Sequence, residues 1–165
     1  MLNSRGVWLV TGVVLGAVLG LCSAGVWPQV PLHAVATHGQ DSFAIATGPV
    51  DSDVEGVFFL DFLTGELRGA VLNNQLKKFN SFYQYNVSKD FPTAKNPHYL
   101  MVTGMQRPVG ENVGSSVIYI GELASGQVNA YGIPYSTAAA QTGATQKFTF
   151  VLLDRIKFRT VVVRQ

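Results

Sequence analysis

A single cysteine, Cys22, stands in the chain of 165 residues. No intramolecular disulfide can form, and no cluster of thiolates can hold zinc. Charge is scarce too, at 13% of residues. Arg5 is the sole charge ahead of residues 7–26, and no Lys or Arg follows until Arg68. Beyond Arg5, eleven Lys and Arg face ten Asp and Glu, a balance that offers nucleic acid no electrostatic footprint. There is no G-x-S-x-G elbow and no Gly-rich phosphate loop, and His33, His38 and His98 lack metal-ligand spacing. The residues specify no reaction, cofactor or metal site, and a non-enzymatic role is expected.

What is present begins with "VWLVTGVVLGAVLGLCSAGV", residues 7–26, twenty residues without a charge. As a helix rising ~1.5 Å per residue they span ~30 Å, the thickness of a bilayer's apolar core. Residues 1–26 are therefore expected to be a transmembrane helix serving as an anchor. The alternative is a signal peptide cut after the small residues near Cys22, Ser23 and Ala24. Arg5 places the N-terminus in the cytoplasm and the rest of the chain outside, in the periplasm or extracellular space. Leu21 precedes Cys22 where a lipoprotein signal needs a small residue. Gly12, Gly16 and Gly20 recur at every fourth place, on one helix face, as a groove that another helix can approach closely. The lipid bilayer and a second copy of the chain are the partners this implies, beside a protein partner that the residues do not name.

After a linker at 27–33, residues 34–165 read as an exported, mainly β domain. "GVFFLDFLTGELRGAVL" at 56–72 returns as "VIYIGELASGQVNAYGI" at 117–133. Phe58 matches Tyr119, Phe59 matches Ile120, and Asp61 matches Glu122, offset by sixty-one. Upstream, Thr47-Gly48 matches Thr103-Gly104, offset by fifty-six. Two antiparallel β-meanders are expected, at 42–72 and 98–133, each with a tight hairpin at Thr64-Gly65 or Ser125-Gly126. Between them Leu76, Phe79, Tyr83 and Val87 are spaced three, four and four, which predicts an inserted amphipathic helix ended by Pro92. Residues 134–146 read as a loop. The last segment, 147–163, reads as a C-terminal hairpin about Asp154-Arg155, with Arg155, Lys157 and Arg159 on one solvated face.

Candidate sites are few. Phe79, Phe82, Tyr83 and Tyr85 are a candidate ligand surface for a small molecule or glycan, together with the loop 105–116. This would make the domain a periplasmic binding module instead of an interaction or assembly element. Asp51, Asp53 and Glu55 alternate as calcium ligands do, but Phe62 stands where an EF-hand needs its last carboxylate. Asp61 and Glu122 occupy matching places, as a duplicated acidic site or as repeated structure. Asn86-Val87-Ser88 is a glycosylation sequon within the predicted helix.

The stretch "ATHGQDSFAIATGPVDSDVEGVFFLDFLTGELRGAVLN" resembles an uncharacterised family of short, N-terminally anchored bacterial proteins of the planctomycete type. The resemblance covers most of the chain after residue 26 and implies no activity. Each hairpin, with Asp, Thr-Gly and a Leu-rich return strand, also looks like a β-propeller blade. Two three-stranded copies and a last hairpin are too few for a propeller of about 4–8 four-stranded blades. A curved sheet carrying the helix, or several chains completing one ring, would satisfy the pattern.

Overall fold

The computed structural model divides into two units, residues 1–32 and 33–165. The structure describes residues 4–23, 37–39, 41–92, 97–107 and 112–159. In the first unit α1 runs over Ser4–Ser23. Its described apolar side chains, among them Trp8, Val13 and Leu15, are exposed. A Cβ added at Gly12, Gly16 or Gly20 would meet open space. Among the described residues no helix is long and apolar enough to cross a membrane. The span expected over 7–26 thus rests on the sequence, and residues 24–26 lie outside the described set.

The second unit is mainly β. β2 (Phe43–Asp51), β3 (Val54–Asp61), β4 (Glu66–Asn73) and β5 (Lys78–Asn86) form an antiparallel meander, edged by β1 (Thr37–Gly39) and β9 (Gln146–Phe148). β6 (Tyr99–Met105), β7 (Val113–Glu122), β8 (Gln127–Pro134) and β10 (Val151–Lys157) form a second, with β10 beside β8. Burial alternates residue by residue along β2, β3 and β6. In β3, Phe58 and Leu60 are buried while Phe59 between them is exposed. One face of each sheet meets the other sheet, and Phe58, Leu60, Leu67 and Tyr83 share a core with Ile118, Ile120 and Tyr131.

Four expectations are corrected. The inserted helix is β5 followed by a 3-10 turn at Val87–Asp90. Phe79, Phe82, Tyr83 and Tyr85 suit a pleated surface better than a helix, and the edge of β4 needs a partner for its amides. A bulge between Val71 and Leu72 opposite β5 interrupts the period of two, and the expected stripe does not share a face: Tyr83 and Val87 are buried, whereas Leu76 and Phe79 are exposed. Among the described residues of 147–163, the expected C-terminal hairpin does not form, and residues 160–163 lie outside the described set. Phe150 is buried against Phe58 and Tyr83 and sends the chain from one sheet to the other. β9 then pairs parallel to β5, β10 pairs antiparallel to β8, and Asp154 marks a bulge within one strand.

Next, the loop expected at 134–146 contains α2 (Thr137–Gln141), capped by the Ser136 side chain accepting from the Ala139 amide. The Ala140 carbonyl accepts from both Asn73 and buried Asn80, which fixes α2 over the ends of β4 and β5. Last, the tight hairpins have four-residue loops, since Asp61 pairs with Glu66 and Glu122 with Gln127.

Candidate functional site

The hairpin acids find their role in the turns. Asp61 Oδ1 accepts from the amides of Leu63 at 2.8 Å and Thr64 at 3.2 Å. Glu122 accepts from Ala124 at 2.9 Å and Ser125 at 2.7 Å. Gly65 and Gly126 close the turns at φ +67° and +65°, each donating to the carbonyl of its acid at 2.9 Å. Both carboxylate oxygens of Glu122 serve its turn, and one oxygen of Asp61 serves the other. Burial alone would raise the pKa of Glu122, but hydrogen bonds from Ser125, Ala124 and the His98 backbone outweigh it and hold it below the usual value.

The candidate ligand surface does not form as one patch. Period two sends Phe82 to the outward face of the first meander, whereas Tyr83 turns inward and stacks on Phe148. Tyr85 also faces the core, 5.7 Å from Tyr131 between ring centres. Phe79 is exposed beyond the bulge. Burial lifts the phenols of Tyr83 and Tyr131 well above their ordinary range, and the buried Tyr83 hydroxyl has no partner among the described residues.

The outward face that Phe82 does join was not foreseen as a site. The ladder sets Val57, Ala70, Phe82 and Lys147 in one row, and Ile45, Phe59, Arg68 and Gln84 in the next. All of these but Ile45 line a groove of about 730 Å³. Phe43 and Phe59 stack at 5.2 Å. Arg68 pairs with Glu66 at 2.7 Å, and Gln84 also donates to Glu66. A signal was present in the sequence, because the middle of β3, Val57-Phe58-Phe59-Leu60, is apolar on both faces. A strand with only one covered face would alternate with polar residues.

The outward face of the second meander is apolar too. Leu100, Val102, Tyr119 and Ile156 are 40–59% exposed. Cross-strand pairing sets Val102 beside Tyr119 and Val128 beside Ile156. Asp154, paired with Ala130, is its charged side chain at the outer strand. Of the other expected features, the cation stripe is exposed, with Arg159 donating to the Leu123 carbonyl at 2.7 Å. Ile156 and Phe158 are exposed as well, so the apolar side of that stripe is not covered. Asp51 accepts from the Thr137 hydroxyl at 2.6 Å. Among the described residues no group of three or more His, Cys, Asp or Glu side chains is placed to hold a metal. Asn86 of the sequon caps the 3-10 turn and donates to the Thr64 carbonyl at 3.2 Å. His33 and residues 108–111 of the loop 105–116 lie outside the described residues. Comparison with protein families, curated proteins and solved structures finds no match for the chain.

Proposed function

We propose that this chain is an exported, membrane-anchored, non-enzymatic assembly module. The observation that carries the reading is the pair of apolar sheet faces, one on each meander, left outward by the packing of the β unit. Contiguous apolar surface of this kind on a soluble domain marks an interaction site. The uncharged run at 7–26, continuous with a twenty-residue helix, supplies the anchor. Open space over Gly12, Gly16 and Gly20 leaves room there for a second helix. The turn bonds of Asp61 and Glu122 support this reading, because they account for the repeated acids by structure alone.

Membrane fractionation and protease treatment of spheroplasts test the reading. The chain should sediment with membranes, resist extraction by carbonate, and lose its β unit to added protease. A β unit protected in intact spheroplasts overturns the topology, and a mature chain beginning near Gly25 replaces the anchor with a cleaved signal. A second reading is favoured by the aromatic and polar lining of the groove at Phe59, Phe82, Arg68 and Gln84, which suits a small molecule or glycan. Saturable binding of an oligosaccharide that is lost in Phe82→Ala would support it.

A further inference from the structure

The two meanders match position by position. Phe43, paired with Asp61, corresponds to Tyr99, paired with Glu122. Ile45 and Phe59 correspond to Met101 and Ile120, and Ala46 and Phe58 to Val102 and Tyr119. The fourth strands follow: Arg68 beside Gln84 corresponds to Asn129 beside Arg155. Even the chain after each fourth strand agrees, since the Val87 amide donates to the Gly65 carbonyl and the Phe158 amide to that of Gly126.

Burial of the matched positions is opposite. Phe58 is buried and Tyr119 exposed, whereas Phe59 is exposed and Ile120 buried. Ala46 and Val102 differ in the same sense, as do Ile45 and Met101. The meanders therefore do not meet through a common face. The Phe58 face of the first packs on the Ile120 face of the second, head to tail. Left outward are the Phe59 face of the first, which is the counterpart of the Ile120 face, and the Tyr119 face of the second, which is the counterpart of the Phe58 face. These are the two halves of the contact already made inside the chain.

We infer that the outward Tyr119 face of one copy packs on the outward Phe59 face of a second copy, repeating the internal contact around a closed ring. The inference rests on the assembly reading and names its partner as the chain itself. A head-to-tail interface closes a ring when its rotation divides the circle, and rings of four-stranded sheets close at about 4–8, so about two to four copies would suffice. The pairing rests on the equivalence of the faces and not on charge, since Arg68 is already paired with Glu66 on its own face. The internal contact also predicts a residue pair. Thr103 donates to the Thr47 carbonyl at 2.6 Å, and a Cβ on Gly48 would lie 3.4 Å from the Cβ of Thr103. The same rotation brings Gly104 of one copy against Thr47 of the next.

The test uses the full chain in detergent with Cys22→Ser. A mixture of Thr47→Cys chains and Gly104→Cys chains should give a disulfide-linked dimer containing one of each, because the matching internal spacing is near the ~3.5–4.5 Å that Cβ atoms of a disulfide need. Either variant alone should give several-fold less. A chain carrying both should give one closed species of about two to four chains. Independently, Tyr119→Lys should reduce the native particle to single chains while its thermal melt stays that of the parent. No mixed dimer from variants that melt normally overturns the ring, as does equal cross-linking of either variant with itself. Cross-linking that persists in Gly16→Ile supports the sheet contact whether or not the chain is anchored. Cross-linking abolished by Gly16→Ile with an unchanged melt overturns the ring and leaves the anchor reading standing.

Discussion

Asp61 opens the turn of the first meander half-buried, whereas Glu122 opens the matching turn of the second with 2% of its surface exposed. Backbone, left-handed glycine and amide partners are shared. What differs is the covering. The face that bears Glu122 lies against the first meander, and the face that bears Asp61 is outward. One local structure, written twice, is thus held in two dielectric surroundings. The longer glutamate reaches two amides with two oxygens, while Asp61 serves both with one. A buried carboxylate must be fully bonded or it is costly, whereas an exposed one is backed by water.

The strongest way to break this comparison is to remove both acids in turn. Glu122→Ala leaves the Ala124 and Ser125 amides without their carboxylate inside a covered turn, and should cost ~2–4 kcal/mol. Asp61→Ala should cost ~1 kcal/mol, because solvent reaches its amides. Urea unfolding of the two variants checks the ranking, and equal losses would mean that the covering does not matter. The same contrast should appear with pH. The pKa of Glu122 is lowered in the folded chain, so its stabilisation is complete above the ordinary glutamate range and is lost as pH falls through the lowered value. Glu122→Gln should therefore flatten the acid limb of stability against pH, measured by melts between neutral and strongly acid buffers.

Next in size are the glycines. Gly65→Val and Gly126→Val each force a β-branched residue to positive φ, at ~1–2 kcal/mol or more. A Cβ at Gly65 meets the Ser88 backbone amide at 3.2 Å, within the turn capped by Asn86. A Cβ at Gly126 comes closer still, 2.5 Å from the Arg159 Cβ, but Arg159 lies past the end of β10 where the chain has more room to shift. Gly65→Val should be the more damaging of the two, and equal melting temperatures would refute that difference.

Much of this architecture was legible in the chain. Repetition of an acid, a hydroxyl residue and a glycine in the hairpin gave the turns, and the offsets of fifty-six and sixty-one gave the strand equivalences. The fourth strands were not legible. Residues 78–86 pair beside β4 across a bulge that hides their period, and β10 lies eighteen residues past Ile133 with α2 and β9 between. Nor could the faces be read. Phe58 and Phe59 are both apolar, and which is buried depends on a sheet formed elsewhere in the chain. The outward groove at Phe59 and Phe82 was missed for the same reason, because burial is a property of the packed pair and not of either strand.

A third turn sharpens the comparison with the smallest expected effect. Between β4 and β5 Asn73 plays the part of Asp61, with Oδ1 accepting from Gln75 at 3.0 Å and Leu76 at 2.9 Å. Its fifth residue donates to the Asn73 carbonyl at 2.8 Å, as Gly65 and Gly126 donate to theirs. That residue is Lys77, at φ 54°. Glycine enters this conformation without the steric penalty that a Cβ carries, but it also gains freedom in the unfolded chain. The first effect favours Lys77→Gly by ~1–2 kcal/mol, and the second opposes it by ~0.5–1 kcal/mol. A net gain of up to ~1.5 kcal/mol is expected, read as a rise in the urea midpoint with an unchanged slope. A loss instead would mean that the lysine side chain contributes to the turn beyond its backbone, and that the three turns are alike in geometry alone.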